Sequence, residues 1–148
     1  MHFNLLGDVK APNRAHKDDA GIDFFVPNDI EAPYVIHPKT TCFIKLKVRG
    51  IIPKGYVLIL KDKSGVALKK NLHVMAGVID SGYTGEIGLQ IANLGDKTVT
   101  VEAGDKICQG LLIPVLADIV DTIDDEAYET LASDSERGTG GYGSTGTK

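Results

Sequence analysis

Cysteine is scarce. Cys42 and Cys108 are the only two in 148 residues, far apart and without partners at metal-ligand spacing. That excludes a disulfide framework and a cysteine-based zinc site, and reduced thiols in a cytosolic protein are expected. No apolar run approaches the ~20 residues that a membrane span needs. Met1 to Lys10 has neither the basic start nor the apolar centre of a secretory signal. The four histidines, His2, His16, His37 and His73, show no ligand spacing and are expected on the surface or in loops. A zinc deaminase is excluded because no His-x-Glu accompanies a paired Cys-x-x-Cys. There is no basic stripe of the kind duplex nucleic acid requires. Nor is there an internal repeat, or a boundary that would justify a second domain.

What is present is an ordinary globular composition, 43% hydrophobic and 24% charged, at a length that suits one domain with a real core. The net charge of −4 is unevenly spread. Residues Ala117–Glu136 hold eight of the 20 acidic side chains and no Lys or Arg, so the remainder carries an excess of four positive charges. A mildly basic body suits a small anionic ligand. Short Val- and Ile-rich runs alternate with Gly, Pro and Asp, as in an all-β protein. Cys42 to Arg49 places Cys42, Ile44, Leu46 and Val48 on one face and Phe43, Lys45, Lys47 and Arg49 on the other, a half-buried strand. Glu86–Ala92 repeats this through Ile87, Leu89 and Ile91, and Thr98–Glu102 through Val99 and Val101. Val57–Leu60 is continuously apolar, as in a strand covered on both faces. Turn signals at Pro53-Lys54-Gly55, Asp80-Ser81-Gly82, Leu94-Gly95-Asp96 and Ala103-Gly104-Asp105 complete the pattern of a sandwich or jelly roll. Two segments depart from it. Ala127, Tyr128 and Leu131 recur at helical spacing behind acidic residues, predicting a short helix over 124–132. In 137–148, five of 12 residues are glycine and none is aliphatic, so this is expected to be a flexible arm beyond a single β domain over 1–136.

Chemistry concentrates in five stretches. Gly77-Val78-Ile79-Asp80-Ser81-Gly82-Tyr83-Thr84-Gly85-Glu86-Ile87 carries an apolar strand into a turn that bears a carboxylate and an aromatic ring. The simplest account is a β-hairpin with Asp80 and Gly82 as turn formers. The functional one makes Asp80 a base on a rigid hairpin and Tyr83 a flat surface for a ligand ring. Asp19-Ala20-Gly21-Ile22-Asp23-Phe24 sets a second carboxylate at the start of a strand, after a small, close-packing pair. Lys63-Ser64-Gly65-Val66-Ala67 offers a hydroxyl and free backbone N–H groups beside a cation, the makings of a phosphate nest. Gly104-Asp105-Lys106-Ile107-Cys108-Gln109 places an amide just inside a strand. The arm, Arg137-Gly138-Thr139-Gly140-Gly141-Tyr142-Gly143-Ser144-Thr145-Gly146, combines an arginine, an aromatic and hydroxyls on a pliant backbone, suited to wrapping a nucleoside triphosphate.

In chain order the five stretches resemble the five motifs of the trimeric dUTPase family, from about Asp19 to Gly146. The third and fifth are the most specific. The resemblance implies a jelly roll, a homotrimer with sites at subunit interfaces, and hydrolysis of dUTP to dUMP and pyrophosphate. That activity limits uracil in DNA and supplies dUMP for thymidylate synthesis. It implies Asp80 as general base for a water attacking the α-phosphorus, with Mg²⁺ on the phosphates and Asp23 ordering the metal's water shell. Tyr83 would pack on the deoxyribose and exclude a 2′-hydroxyl, while backbone at Val78, Ile79 and Gly88 would read uracil. Lys63, Ser64, the Gly65 backbone and Gln109 would bind phosphate. Arg137 and Ser144 would clamp the terminal phosphate, and Tyr142 would cover the base. The implied location is the cytoplasm, that of a host cell if the source is viral.

There are departures from the pattern. The second motif usually reads Pro-Arg-Ser-Gly and here reads Asp62-Lys63-Ser64-Gly65; lysine keeps the charge but loses arginine's planar grip. Asp62 adds a negative charge for which the sequence offers no role. Lys106 and Cys108 stand where arginine and alanine are common in the fourth motif, and Tyr142 replaces the usual phenylalanine. The acidic connector Ala117–Glu136 is longer than the family norm. Two other readings remain open. A dCTP deaminase relative would share fold and trimer but needs a glutamate for ring hydrolysis, and Glu86 matches a structural position instead. A nucleotide-gated regulatory binding protein on a dUTPase body would use the acidic connector, which otherwise reads as a solvated surface helix.

Overall fold

The computed structural model describes residues 1–116, 120–135 and 138. The chain divides into two compact units, Met1–Leu116 and Ala117–Lys148; the boundary expected between 136 and 137 falls on residues outside the described ones. In chain order the elements are β1 (His2–Leu5), β2 (Ile22–Phe25), β3 (Tyr34–Ile36), β4 (Thr41–Ile51), β5 (Tyr56–Asp62), α1 (Ser64–Lys70), β6 (Leu72–Met75), β7 (Val78–Asp80), β8 (Glu86–Asn93), β9 (Val99–Val101), β10 (Lys106–Pro114) and α2 (Asp125–Ala132). No helix among the described residues is long and apolar enough to cross a membrane.

The first unit is the expected jelly roll. Antiparallel strands form two four-stranded sheets, β1-β4-β8-β6 and β2-β10-β5-β7, with a two-stranded β3-β9 ladder. Alternation decides which side chains point inward. Ile44, Leu46 and Val48 of β4 and Ile87, Leu89 and Ile91 of β8 are fully buried, as their sequence pattern predicts. They meet Phe24 of β2, Leu58 and Leu60 of β5 and Ile107 of β10 in one core cluster. Phe3 and Phe24 bridge β1 and β2 edge to face, 5.5 Å between centroids. Val57 and Leu58, consecutive in β5, are both buried, as a strand covered on two faces requires.

The hairpin expected around Asp80 is not a continuous ladder. β6 pairs with β8 from Leu72↔Asn93 to Met75↔Gln90. Ala76 and Gly77 then take positive φ, 55° and 90°, and the chain leaves β8. β7 pairs instead with β5, Val57↔Asp80 through Ile59↔Val78, secured by the Leu60 N–H donating to the Gly77 carbonyl at 2.8 Å. Close approach to Leu60 explains the glycine: a Cβ on Gly77 would lie 2.8 Å from that residue's carbonyl oxygen. The hairpin therefore forks, sending β7 to one sheet and β8 to the other.

In the second unit, α2 matches the helix expected over 124–132. The Asp124 carboxylate caps it by accepting the Ala127 N–H at 2.9 Å, and Asp125 and Glu126 suit the positive end of the helix dipole.

Candidate active site

Three of the five stretches meet at one end of the β2-β10-β5-β7 sheet. A cavity of about 400 Å³ is lined by Asp19, Ala20, Gly21 and Asp23, by Lys63, and by Gln109 with Ala15 and Leu111. Cross-strand register assembles it, because Asp23 of β2 lies directly opposite Gln109 of β10. A Cβ at Gly21 would collide with the Gln109 amide, so the small residue is what lets the two strands' functional groups converge. The Gln109 amide is itself oriented by donating to the Asp62 carbonyl at 2.8 Å.

Asp23 is 3% exposed and faces two ammonium groups. Lys63 donates to its Oδ1, and Lys106 Nζ lies 2.9 Å from Oδ2, a distance of attraction without hydrogen-bond geometry. Burial alone would raise the Asp23 pKa, but the hydrogen bond from Lys63 and the positive charges of Lys63 and Lys106 outweigh it and hold the carboxyl below its ordinary value. Sequence alone does not mark Lys106 as a site residue. Its signal is the β2–β10 register, which sets it opposite Phe25, two residues from Asp23.

Asp62 now has a role. Its carboxylate turns to β6, accepting the Val74 N–H at 2.5 Å and lying 2.8 Å from His73 Nδ1. It serves the strand start and leaves Lys63 to the cavity. Ser64 and Gly65 open α1, where Val66 and Ala67 N–H return to the Lys63 carbonyl. The Ser64 and Gly65 N–H groups have no partner among the described residues. A Cβ at Gly65 would meet nothing within 4 Å, so nothing in the described chain itself demands glycine there.

Val78, Ile79, Asp80 and Tyr83 lie elsewhere, at the fork. The Tyr83 N–H closes a turn onto the Asp80 carbonyl at 3.0 Å. The Tyr83 hydroxyl donates to the Glu86 carbonyl at 2.7 Å, and its ring lies across Gly85. Asp80 and Tyr83 are both exposed. Gly88 sits in β8, under the Phe43 ring. Because β6 stops pairing at Gln90, the β8 edge from Glu86 to Leu89 on that side has no strand partner among the described residues; nor does the β7 edge facing away from β5. Two strand edges with free backbone donors and acceptors thus flank the fork beside Asp80.

Strand geometry separates the two clusters. Asp80 is level with Val57 and Ile113, whereas Asp23 is level with Gln109, three strands across and four residues along. With strands ~4.8 Å apart and ~3.4 Å per residue, their backbones lie about 20 Å apart. Arg137, Tyr142 and Ser144 are outside the described residues.

A family model for dUTPase matches residues 8–146. The chain belongs to the dUTPase family. A deoxyuridine 5'-triphosphate nucleotidohydrolase of Picosynechococcus is 38% identical over 152 residues, covering 99% of this chain and all of the relative. Among solved structures, a Staphylococcus bacteriophage 80alpha dUTPase with dUPNHPP superposes with TM-score 0.84 at 29% identity, over 99% of this chain and 98% of that one. It is described as one of the phage dUTPases that control transfer of virulence genes by a G protein-like mechanism. A mutant dUTPase of S. aureus phage phi11, with a structural Mg(II) ion, superposes with TM-score 0.74 at 28% identity, over 84% of this chain and 96% of that one. Membership of the dUTPase family gives the two clusters a common frame.

Proposed function

We propose that the chain hydrolyses dUTP to dUMP and pyrophosphate, and that it does so as a homotrimer. Asp80 accepts a proton from a water that attacks the α-phosphorus; the bond to the α,β-bridging oxygen breaks and pyrophosphate leaves. The fork is the observation that carries this reading. It sets unpaired backbone from β7 and β8 beside one exposed carboxylate and one exposed aromatic. Uracil's amide edge needs both a donor and an acceptor, which the backbone at Val78, Ile79 and Gly88 can offer, with a close fit that would exclude a 5-methyl group. Tyr83 packs on the sugar.

Lys63, Ser64, Gly65 and Gln109 hold phosphate. Ser64 and Gly65 contribute spare N–H groups at a helix start, and the absence of a Cβ at Gly65 lets an anion approach closely. Since about 20 Å separates this cluster from Asp80 along the sheet, the base of one copy serves phosphates held by another. That is the reason for a trimer with interfacial sites. Arg137, Ser144 and Tyr142 close the site as the family resemblance implies.

Among the described residues no cluster of three His, Cys, Asp or Glu could hold a metal ion, and Asp23 already faces two ammonium groups. Asp23 would hold Mg²⁺ only through water, and Mg²⁺ bound with the triphosphate would supply charge neutralisation at the phosphates. The resulting activity would limit uracil incorporation into DNA and feed thymidylate synthesis, in the cytoplasm.

A second reading, a nucleotide-gated regulatory binding protein on the same body, is favoured by the virulence-gene control described for the phage dUTPase. Turnover of each deoxynucleoside triphosphate with Mg²⁺, followed by identification of products, tests the first reading. dUMP and pyrophosphate from dUTP alone are expected, and no turnover of dUTP refutes it. A nucleotide-dependent pull-down tests the second.

A further inference from the structure

β4 contains a bulge whose position sequence patterning does not explain. Its ladder with β8 runs regularly to Lys45↔Gly88 and resumes at Arg49↔Glu86, so Leu46, Lys47 and Val48 stand against the single residue Ile87. Leu46 and Val48 both remain buried in the core. Lys47, between them, is forced to φ 50°, a conformation that a non-glycine residue adopts only when its surroundings impose it.

Those surroundings hold Lys47 on three sides. Its carbonyl accepts the Leu6 N–H at 2.8 Å. Its ammonium reaches the Asp29 carboxylate at 2.6 Å. Its N–H donates to the Glu86 carboxylate at 3.1 Å. Bulges beside active sites commonly re-aim a neighbouring group. Here that group is Glu86, whose backbone carbonyl accepts the Tyr83 hydroxyl at 2.7 Å. A chain of contacts therefore runs from the strained residue, through the Glu86 side chain and then its backbone, to the aromatic ring at the fork.

The geometry points to Glu86 as a positioning residue for sugar selection: anchored by the Lys47 bulge, it fixes the Tyr83 ring and thereby sets the preference for deoxyribose. This rests on the proposed dUTP hydrolysis. Glu86 touches no reacting atom. It limits how far the ring can yield to a 2′-hydroxyl. The carboxylate is used as an acceptor of one N–H, so glutamine can replace it and alanine cannot.

The test is steady-state hydrolysis of dUTP and UTP by wild type, Glu86→Gln, Glu86→Ala and Tyr83→Phe, with melting temperatures measured alongside. Packing contacts discriminate by ~10–200-fold in all, so partial release of the ring in Glu86→Ala should narrow the dUTP/UTP ratio of kcat/KM by at least ~3-fold. Tyr83→Phe, which removes the hydroxyl anchor, should narrow it similarly. Glu86→Gln should keep the wild-type ratio. A merely structural role would lower the melting temperature of Glu86→Ala without moving the ratio, and that result overturns the inference. So does Glu86→Gln behaving as Glu86→Ala. Should Glu86→Ala fail to fold, an unmoved ratio in Tyr83→Phe overturns it equally. Wild type with no preference for dUTP over UTP instead overturns the functional reading beneath it.

Discussion

Two inactive variants should rescue each other. The perturbations are Asp80→Asn, which leaves the fork's shape but removes the proposed base, and Lys63→Glu, which reverses a charge lining the proposed phosphate cavity. Neighbouring phosphorus atoms in a triphosphate are joined through a single oxygen, and a base works within ~3 Å of the proton it takes. Yet Asp80 lies at the Val57 end of β5, while Lys63 follows the other end, six residues on. At ~3.4 Å per residue that span is about 20 Å, too far for one chain to supply both groups to one nucleotide. In a cyclic trimer mixed at random from equal amounts, a site works when its base comes from a Lys63→Glu chain and its phosphate cavity from an Asp80→Asn chain. The chance is one half times one half, so roughly a quarter of wild-type activity should return. The assay is dUTP turnover by co-expressed, purified mixed trimers, with each parent checked for folding by its melting temperature. Mixed trimers no more active than their parents would refute cross-subunit assembly of the site.

Three further outcomes follow from the cavity. Asp62→Ala strands the Val74 N–H and frees His73, and should cost about 1–3 kcal/mol in urea unfolding while changing kcat/KM for dUTP less than ~3-fold. Gly21→Ala pushes the Gln109 amide aside; it should raise KM for dUTP while lowering stability by little more than the lost Gln109–Asp62 hydrogen bond, about 1 kcal/mol. The Asp23 carboxyl is held below its ordinary 3.8, so its stabilising contribution is complete above that value and is lost as pH falls through the lowered one. Stability measured against pH should therefore decline on the acid side, and Asp23→Asn should shallow that limb.

Much of the fold was legible because alternation is a local signal. β4 and β8 show it in their own residues, and Val57–Leu60 announces a strand covered on both faces. Asp124 before Ala127, Tyr128 and Leu131 marks α2 by its cap and spacing. α1 escaped because it has no buried stripe: Leu68 is 82% exposed, and the helix is bounded by Lys63 and the left-handed Asn71 rather than by core packing. The fork escaped because it hinges on Ala76 at φ 55°, which nothing about alanine foretells. Five motifs were readable as residue types, but the division of the four described ones into two clusters depends on cross-strand register, which sets Gln109 against Asp23 and Asp80 against Val57. Asp62 could not be read from its neighbours either, since its partners lie 11 and 12 residues on.

In the proposed reaction a water activated by Asp80 attacks the α-phosphorus of dUTP. The most direct test is hydrolysis in ¹⁸O-labelled water with the label traced by mass spectrometry, for wild type and Asp80→Asn. Label in dUMP, with kcat reduced at least ~10²-fold in the variant, is the predicted result. Label in pyrophosphate, release of dUDP and phosphate, or near-normal turnover by Asp80→Asn would contradict it.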